Sequence, residues 1–182
     1  MKRHVRGSLF VDYVRMLRSR KGAIWADSLL SGDMKYLSGR IEPTEWYPME
    51  TFERMGLAIL SEIAGDDVTL VELFGRASVD GLLRLYPMLL APKDPRETIM
   101  RFQSLQRGFF DFPAFEIELT DGKATVRIDY QMSARAEEAA CHQALGFFDR
   151  LLDLAGAVDR SVSFRARRWT GDGSTLLALT WK

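Results

Sequence analysis

The chain offers little that could do covalent or metal chemistry: two histidines, His4 and His142, and one cysteine, Cys141. A zinc ion asks for about four nitrogen, sulfur or carboxylate ligands. Cys141 and His142 are adjacent, and neighbours on a helix point about 100° apart, so they do not converge on one ion as residues three or four apart would. The same geometry argues against a Cys–His nucleophilic pair, and Cys141 reads as a buried, inert thiol. Glu137-Glu138 and Asp66-Asp67 place paired carboxylates at helix starts, where negative charge complements the helix dipole without any acid–base role. Gly171-Asp172-Gly173 joins two strands rather than a strand to a helix, so it lacks the helix N-terminus of a phosphate loop. No catalytic residue and no metal site is expected.

Three groups keep binding open. Of the eight methionines, Met55, Met88 and Met100 would form an adaptable lining for an apolar ligand if they faced one cavity; the alternative is scattered core positions. Trp46 and Tyr47 stand in the prolyl segment 42–48 and would either gate such a pocket or staple the start of a helix. Arg127 on one strand and Arg165 and Arg167 on another fall opposite the apolar residues, so they should face solvent or a partner. Glu116 and Glu118 on the strand beside Arg127 would pair with it, contributing under about 1 kcal/mol per pair. No aromatic residue alternates with these arginines, which argues against a nucleic-acid surface.

These residues need elements to carry them, and a chain of 182 residues suffices for one self-sufficient core. With 47% hydrophobic and 11% aromatic residues the chain is not disordered, and a formal net charge of zero excludes a basic nucleic-acid coat. Positive charge gathers at the start: residues 1–22 hold seven Lys or Arg against Asp12. That Arg-rich start is compatible with an organellar presequence or with an ordinary helix face of Leu9, Tyr13, Val14 and Leu17. No apolar run reaches the roughly 18 residues of a membrane span, and no signal-peptide core follows the N-terminus. A soluble, cytoplasmic protein is expected.

Helical periodicity covers 9–20, then a short second helix through Ile24, Leu29 and Leu30 ending near Gly32. Pro48 should open a helix running through Ile63 to about Gly65. A long helix spans Val68 to Leu90, bent or ended by Pro87, and another covers 95–108. An aromatic patch of Phe109, Phe110, Phe112 and Phe115 then leads into the first sheet strand. Phe115, Ile117 and Leu119 alternate with polar residues, and Asp121-Gly122 turns the chain into Ala124, Val126, Ile128 and Tyr130, a hairpin with a type I′ signal. A helix over 136–155, capped by Gly156, follows. Val162, Phe164, Ala166 and Trp169 then turn into Leu177, Leu179 and Trp181. The fold class is α+β: a helical layer, residues 1–112, on a four-stranded antiparallel sheet built from two hairpins, residues 113–182, in one domain.

Gly7-Ser8-Leu9-Phe10-Val11-Asp12, the Pro43–Pro48 loop, Leu85-Tyr86, Cys141 with Gly146, and Gly171-Asp172 with Trp181 together resemble a paralogous myxobacterial family of uncharacterised function, over nearly the whole chain. That family is distantly similar to 4-vinyl reductase-like, TRAPP-subunit and heme nitric-oxide-binding domains. The resemblance implies a helical layer on a four-stranded sheet with an apolar pocket or tunnel between them. It also implies points of difference. Relatives carry cysteines flanking the last hairpin turn, where this chain has Arg167, Arg168, Ser174 and Thr175. The heme sensors hold iron through a histidine on the helix before the sheet, and residues 95–108 contain none. Their Tyr-x-Ser-x-Arg motif meets only Tyr130, Ser133 and Arg135, at different spacing. Acylation of a TRAPP cysteine does not transfer to the position of Cys141. No cofactor is therefore expected, heme included. The expectation is a non-enzymatic, cytoplasmic, sensory or regulatory bacterial domain that binds an apolar small molecule between helices and sheet. The alternative is a protein–protein scaffold or dimerisation module without a ligand.

Overall fold

The computed structural model describes residues 2–182. The chain begins with β1 (His4–Arg6), runs into α1 (Gly7–Ser19), passes a 3-10 turn at Trp25–Asp27 and reaches α2 (Met34–Ser38). The expected helix through Ile24 and Leu30 is absent: Trp25 and Leu29 are buried, whereas Ile24 is 82% and Leu30 58% exposed, so these residues do not share a helical face. What holds this segment is Asp33, which accepts a forked pair of hydrogen bonds from Arg54 at 2.7 and 2.9 Å, one from the Thr51 hydroxyl and one from the Leu30 N–H.

β2 (Trp46–Pro48) pairs antiparallel with β1, Val5 opposite Tyr47, before α3 (Met49–Ala58). This small sheet was not anticipated, because three residues are too few to show a period of two. β1 uses its other edge as well: Val5 bridges Phe110, and the Arg6 N–H donates to the Phe109 carbonyl at 2.8 Å. Beyond α3 the helix widens into a π turn over Ile59–Ile63, closed by the Ala64 N–H on the Ile59 carbonyl.

α4 (Val68–Leu85) starts at Asp67, whose carboxylate accepts from the Thr69 N–H. It stops short of Leu90 because Pro87 disfavours helical geometry at Tyr86. α5 (Pro95–Leu105) is capped by Asp94 and ends in a 3-10 turn. β3 (Phe115–Thr120) and β4 (Lys123–Ile128) form the first hairpin, α6 (Ala134–Leu154) follows with Gly156 at φ +80° behind it, and β5 (Ser161–Ala166) and β6 (Thr175–Thr180) form the second hairpin. In the first turn only Gly122 takes a positive φ, +69°, while Asp121 does not. This is the signature of a type II turn rather than the expected type I′.

The sheet order is β3-β4-β6-β5, all antiparallel, so the two hairpins meet along β4 and β6 with Val126 opposite Leu177. One sheet face is buried beneath the helices, and Ile128, Val126, Leu177 and Leu179 share a core with Phe148, Leu151 and Leu152 of α6. α4 and α6 cross backbone against backbone. A Cβ at Gly75 would strike the Gln143 carbonyl, and one at Gly146 would strike the Glu72 carbonyl. Bare Cα atoms on both helices permit this approach. It brings His142 Nδ1 within 2.7 Å of Glu72 Oε1.

Candidate functional site

A cavity of about 90 Å³ lies where α1, α4 and α6 meet the segment that enters the sheet. Its floor is aromatic: Phe102, Phe109, Phe110, Phe115, Phe148 and Tyr130. Phe102 meets Phe148 edge-on at 5.0 Å, and Tyr130 packs against Phe115 at 5.5 Å and Phe110 at 5.7 Å. Edge and tilted contacts of this kind hold rings in place while leaving angular gaps between them. The rim is polar and comes from the helices: Asp12 and Tyr13 of α1, Ser78 of α4 and Gln143 of α6. Tyr13 stacks on Phe52 at 4.1 Å and its hydroxyl donates to Gln143 Oε1 at 2.5 Å.

Several titratable groups lie in or behind the wall of this cavity, and burial dominates each. It pushes the Tyr13 and Tyr130 phenols and the Cys141 thiol well up, and it raises the Asp12 carboxyl despite the nearby Arg15. Glu137 is 1% exposed, and burial raises its carboxyl although it accepts the N–H groups of Tyr130 at 3.3 Å and Met132 at 3.2 Å. That carboxyl, on the first turn of α6, fixes the loop that carries Tyr130 into the cavity. The helix-opening Glu137 is thus a buried clasp.

The methionine lining is corrected by the structure. Met55 is wholly buried in the core, Met88 is 77% exposed on the turn after Pro87, and Met100 lies on the outward side of α5, where Arg96 donates to its sulfur. None lines the cavity. On α5 the inward positions belong to Ile99 and Phe102, which turns Met100 to solvent. The signal for the true lining was the aromatic patch from Phe109 to Phe115. Trp46 lies on an open surface hollow, with the Arg6 guanidinium 3.9 Å above its ring. Tyr47 is buried, stacked on Phe10 at 4.5 Å, and its hydroxyl accepts the Glu42 N–H. Neither reaches the inner cavity.

Arg127 is exposed and pairs with Glu116 at 3.4 Å across β3 and β4, as expected. Arg165 is exposed where the β5–β6 register shifts between Phe164 and Ala166. That bulge breaks the alternation, and Arg167, past the end of β5, leans over the Phe164 ring at 5.5 Å instead of joining the other two on the outer face. Among the described residues no three His, Cys, Asp or Glu side chains are grouped to hold a metal ion.

No family model matches the sequence, and no curated protein does. Solved structures match over the whole length. An H-NOX protein from S. oneidensis in the Fe(II)NO ligation state aligns with 97% of this chain and 99% of its own, at TM-score 0.65 and 12% identity. A mutant H-NOX protein from K. algicida, Fe(II) and unliganded, aligns with 97% and 96% at TM-score 0.63 and 16% identity. A structure concerned with heme redox potential and porphyrin distortion reaches TM-score 0.65 at 17% identity, over 97% of this chain and 95% of its own. The myxobacterial resemblance gains no support from these comparisons. At such identities the likeness establishes the fold, which is an H-NOX-like α+β domain.

The expectation that this chain takes no cofactor is overturned by these neighbours, which are heme domains. The side chains here do not, however, fit a heme held in the manner the resemblance implies. Neither His4, His142 nor Cys141 lines the cavity, and α5 carries no histidine. Tyr130 reaches the cavity, but Ser133 is bonded to Glu53, and Arg135 to Glu138 and Asp66, so the three do not converge. The oxygen-bearing side chains that line the cavity are Tyr13, Tyr130, Asp12, Ser78 and Gln143.

Proposed function

We propose that this chain is a sensory ligand-binding domain that takes a compact, mostly apolar molecule in the cavity between helices and sheet and passes its occupancy to a partner. The observation that carries this reading is the aromatic cavity itself, at the junction of α1, α4, α6 and the sheet entrance. Protein interiors close to near-crystalline density, and a void lined by nine aromatic rings with a few polar groups among them is the usual form of a small-molecule site. The whole-length likeness to H-NOX domains supports a sensory role. No described helix is long and apolar enough to cross a membrane, and the reading is of a domain acting in the cytoplasm without catalysis.

Tyr130 is suited to report occupancy. Its ring is in the cavity wall, while its own carbonyl accepts from Arg3 at 2.7 Å and its N–H is held by Glu137. The flanking residues reach further: Asp129 pairs with Arg168 at 2.8 Å beside the last hairpin, and the Ser133 hydroxyl donates to Glu53 of α3 at 2.6 Å. A ligand that displaces the ring therefore loads α3, the N-terminus and the second hairpin at once. Arg127 and Arg165 on the open sheet face would meet the partner.

The test is native mass spectrometry of gently purified protein, with analysis of any molecule released on denaturation, followed by thermal unfolding with hemin and with a panel of small apolar compounds. A released apolar molecule, heme or other, or a ligand-dependent rise in Tm supports the reading, since a ligand that binds only the folded state stabilises it. A bare chain whose Tm no compound moves overturns it in favour of a scaffold.

A further inference from the structure

Resting on the pocket reading above, we propose that the cavity selects an uncharged ligand bearing a hydrogen-bond-accepting oxygen, and that Tyr130 and Gln143 are the groups that recognise it. Tyr130 is 6% exposed, its ring lines the cavity, and no described residue makes a hydrogen bond to its hydroxyl. Among the described residues Ser8 Oγ is the one side-chain atom sealed without a partner, so the Tyr130 hydroxyl is not closed off, and a donor that stays open to contact in a cavity wall can take an acceptor from an occupant.

The other polar groups at the cavity narrow the class. Tyr13 spends its proton on Gln143 Oε1, and the Ser78 hydroxyl spends its proton on the Gly75 carbonyl at 2.7 Å. Gln143 has used its acceptor and keeps its N–H groups, none of which has a partner among the described residues. The free groups are thus donors: the Tyr130 O–H on the floor and the Gln143 amide at the rim. No lysine or arginine lines the cavity, so an anion finds no countercharge among the lining residues. What fits is a neutral ketone, ether or similar oxygen on an apolar body. At about 90 Å³ the space is smaller than the roughly 150 Å³ cavity that accepts benzene. The body is therefore of ring size or below unless the phenylalanines yield.

Cyclopentanone and methylenecyclopentane separate shape from chemistry, since the second replaces the carbonyl oxygen by a methylene group. Their affinities for the full chain are to be measured by ligand-observed NMR titration, in wild type and in Tyr130→Phe, which removes one oxygen and leaves the ring. Wild type is expected to bind the ketone about fivefold more tightly than the alkene, the worth of one neutral hydrogen bond. In Tyr130→Phe that preference should vanish while alkene affinity stays within about twofold, which also shows that the pocket is intact. Equal affinities in wild type, or a preference that survives Tyr130→Phe, overturn the inference and leave the pocket reading standing. Binding of neither probe to wild type overturns the pocket reading and the inference with it.

Discussion

Substituting Gly75 by alanine tests the helix crossing on which the cavity depends. In an exposed helix the change would stabilise, since glycine in a helix interior is about 1 kcal/mol worse than alanine. Here the new methyl group would meet the Gln143 carbonyl, which is main chain and cannot rotate aside. Relief requires α4 and α6 to part by about 1 Å, and a gap of that size forfeits a quarter to a half of the dispersion at each contact along the seam. Overpacking of this kind costs about 3 kcal/mol at its upper range. The net effect should be a loss of about 2 kcal/mol, and at 2–4 °C per kcal/mol for a chain of this size Tm should fall by about 4–8 °C. The same substitution two turns on supplies the control. A Cβ at Gly81 would sit 3.5 Å from the Asp12 carboxylate, an ordinary contact, so Gly81→Ala should raise Tm by about 1–4 °C on helix propensity alone. Thermal unfolding followed by circular dichroism reads both variants. If Gly75→Ala and Gly81→Ala stabilise alike, the close crossing does not exist, and the position assigned to Gln143 at the cavity rim falls with it.

Three further outcomes are expected. Burial works to raise the Asp33 carboxyl, but the hydrogen bonds from Arg54, Thr51 and Leu30 outweigh it and hold the group below its ordinary value of 3.8. Its contribution is therefore present above that value and lost as pH falls through the depressed one. Arg54→Met should cost about 2–3 kcal/mol in urea denaturation at neutral pH and progressively less in acid. Glu137 carries the opposite sign: its carboxyl is raised by burial, so wild-type stability should decline as pH climbs above the ordinary value of 4.5 and level off beyond the raised one. Urea midpoints of Glu137→Gln across the same range should lack that decline, and a parallel decline would show that the carboxyl is not the cause. Trp46→Ala removes the ring beneath Arg6 and should cost about 0.5–1 kcal/mol. It should leave cyclopentanone affinity unchanged; weaker binding would make the Trp46 hollow part of the ligand's route.

The elements with long, regular patterns were legible in the sequence. Both hairpins, α6 and α5 lie close to where periodicity put them, because six-residue strands and helices of 11 and 21 residues repeat their burial pattern often enough to be seen. β1 and β2, three residues each, repeat nothing. Gly75 and Gly146 read in sequence as weak points in helices, and only the opposing backbone shows them to be the places of closest approach. The site was less legible than the fold. Methionine chemistry suggested an adaptable lining, whereas the lining comes from the Phe109–Phe115 patch, which the sequence displays but which looks like any entry to a strand. Tyr130 shares the period of β4, yet it lies beyond the end of that strand at Ile128, and its placement depends on Glu137, seven residues further along. The Tyr13–Gln143 bond joins residues 130 apart, which no local pattern encodes.

α6 links these observations. Gly146 gives it contact with the α4 backbone, Phe148 belongs to the core it shares with the sheet, and Gln143, Ala144 and Phe147 line the cavity. At about 100° per residue these positions fall on different sides of the helix, so one element presents a tight seam on one side and an aromatic spacing on another. Where the backbones touch there is no room for a side chain; where phenylalanine rings hold the elements apart there is room for more than the rings fill. The void follows from that contrast, between glycine-spaced and phenylalanine-spaced contacts made by the same rigid helix. A ligand that pushes on Phe148 or Gln143 therefore moves α6 as a body. The sheet and α4, packed against its other sides, cannot stay where they are, which is the mechanical condition for a pocket to be read at the protein surface.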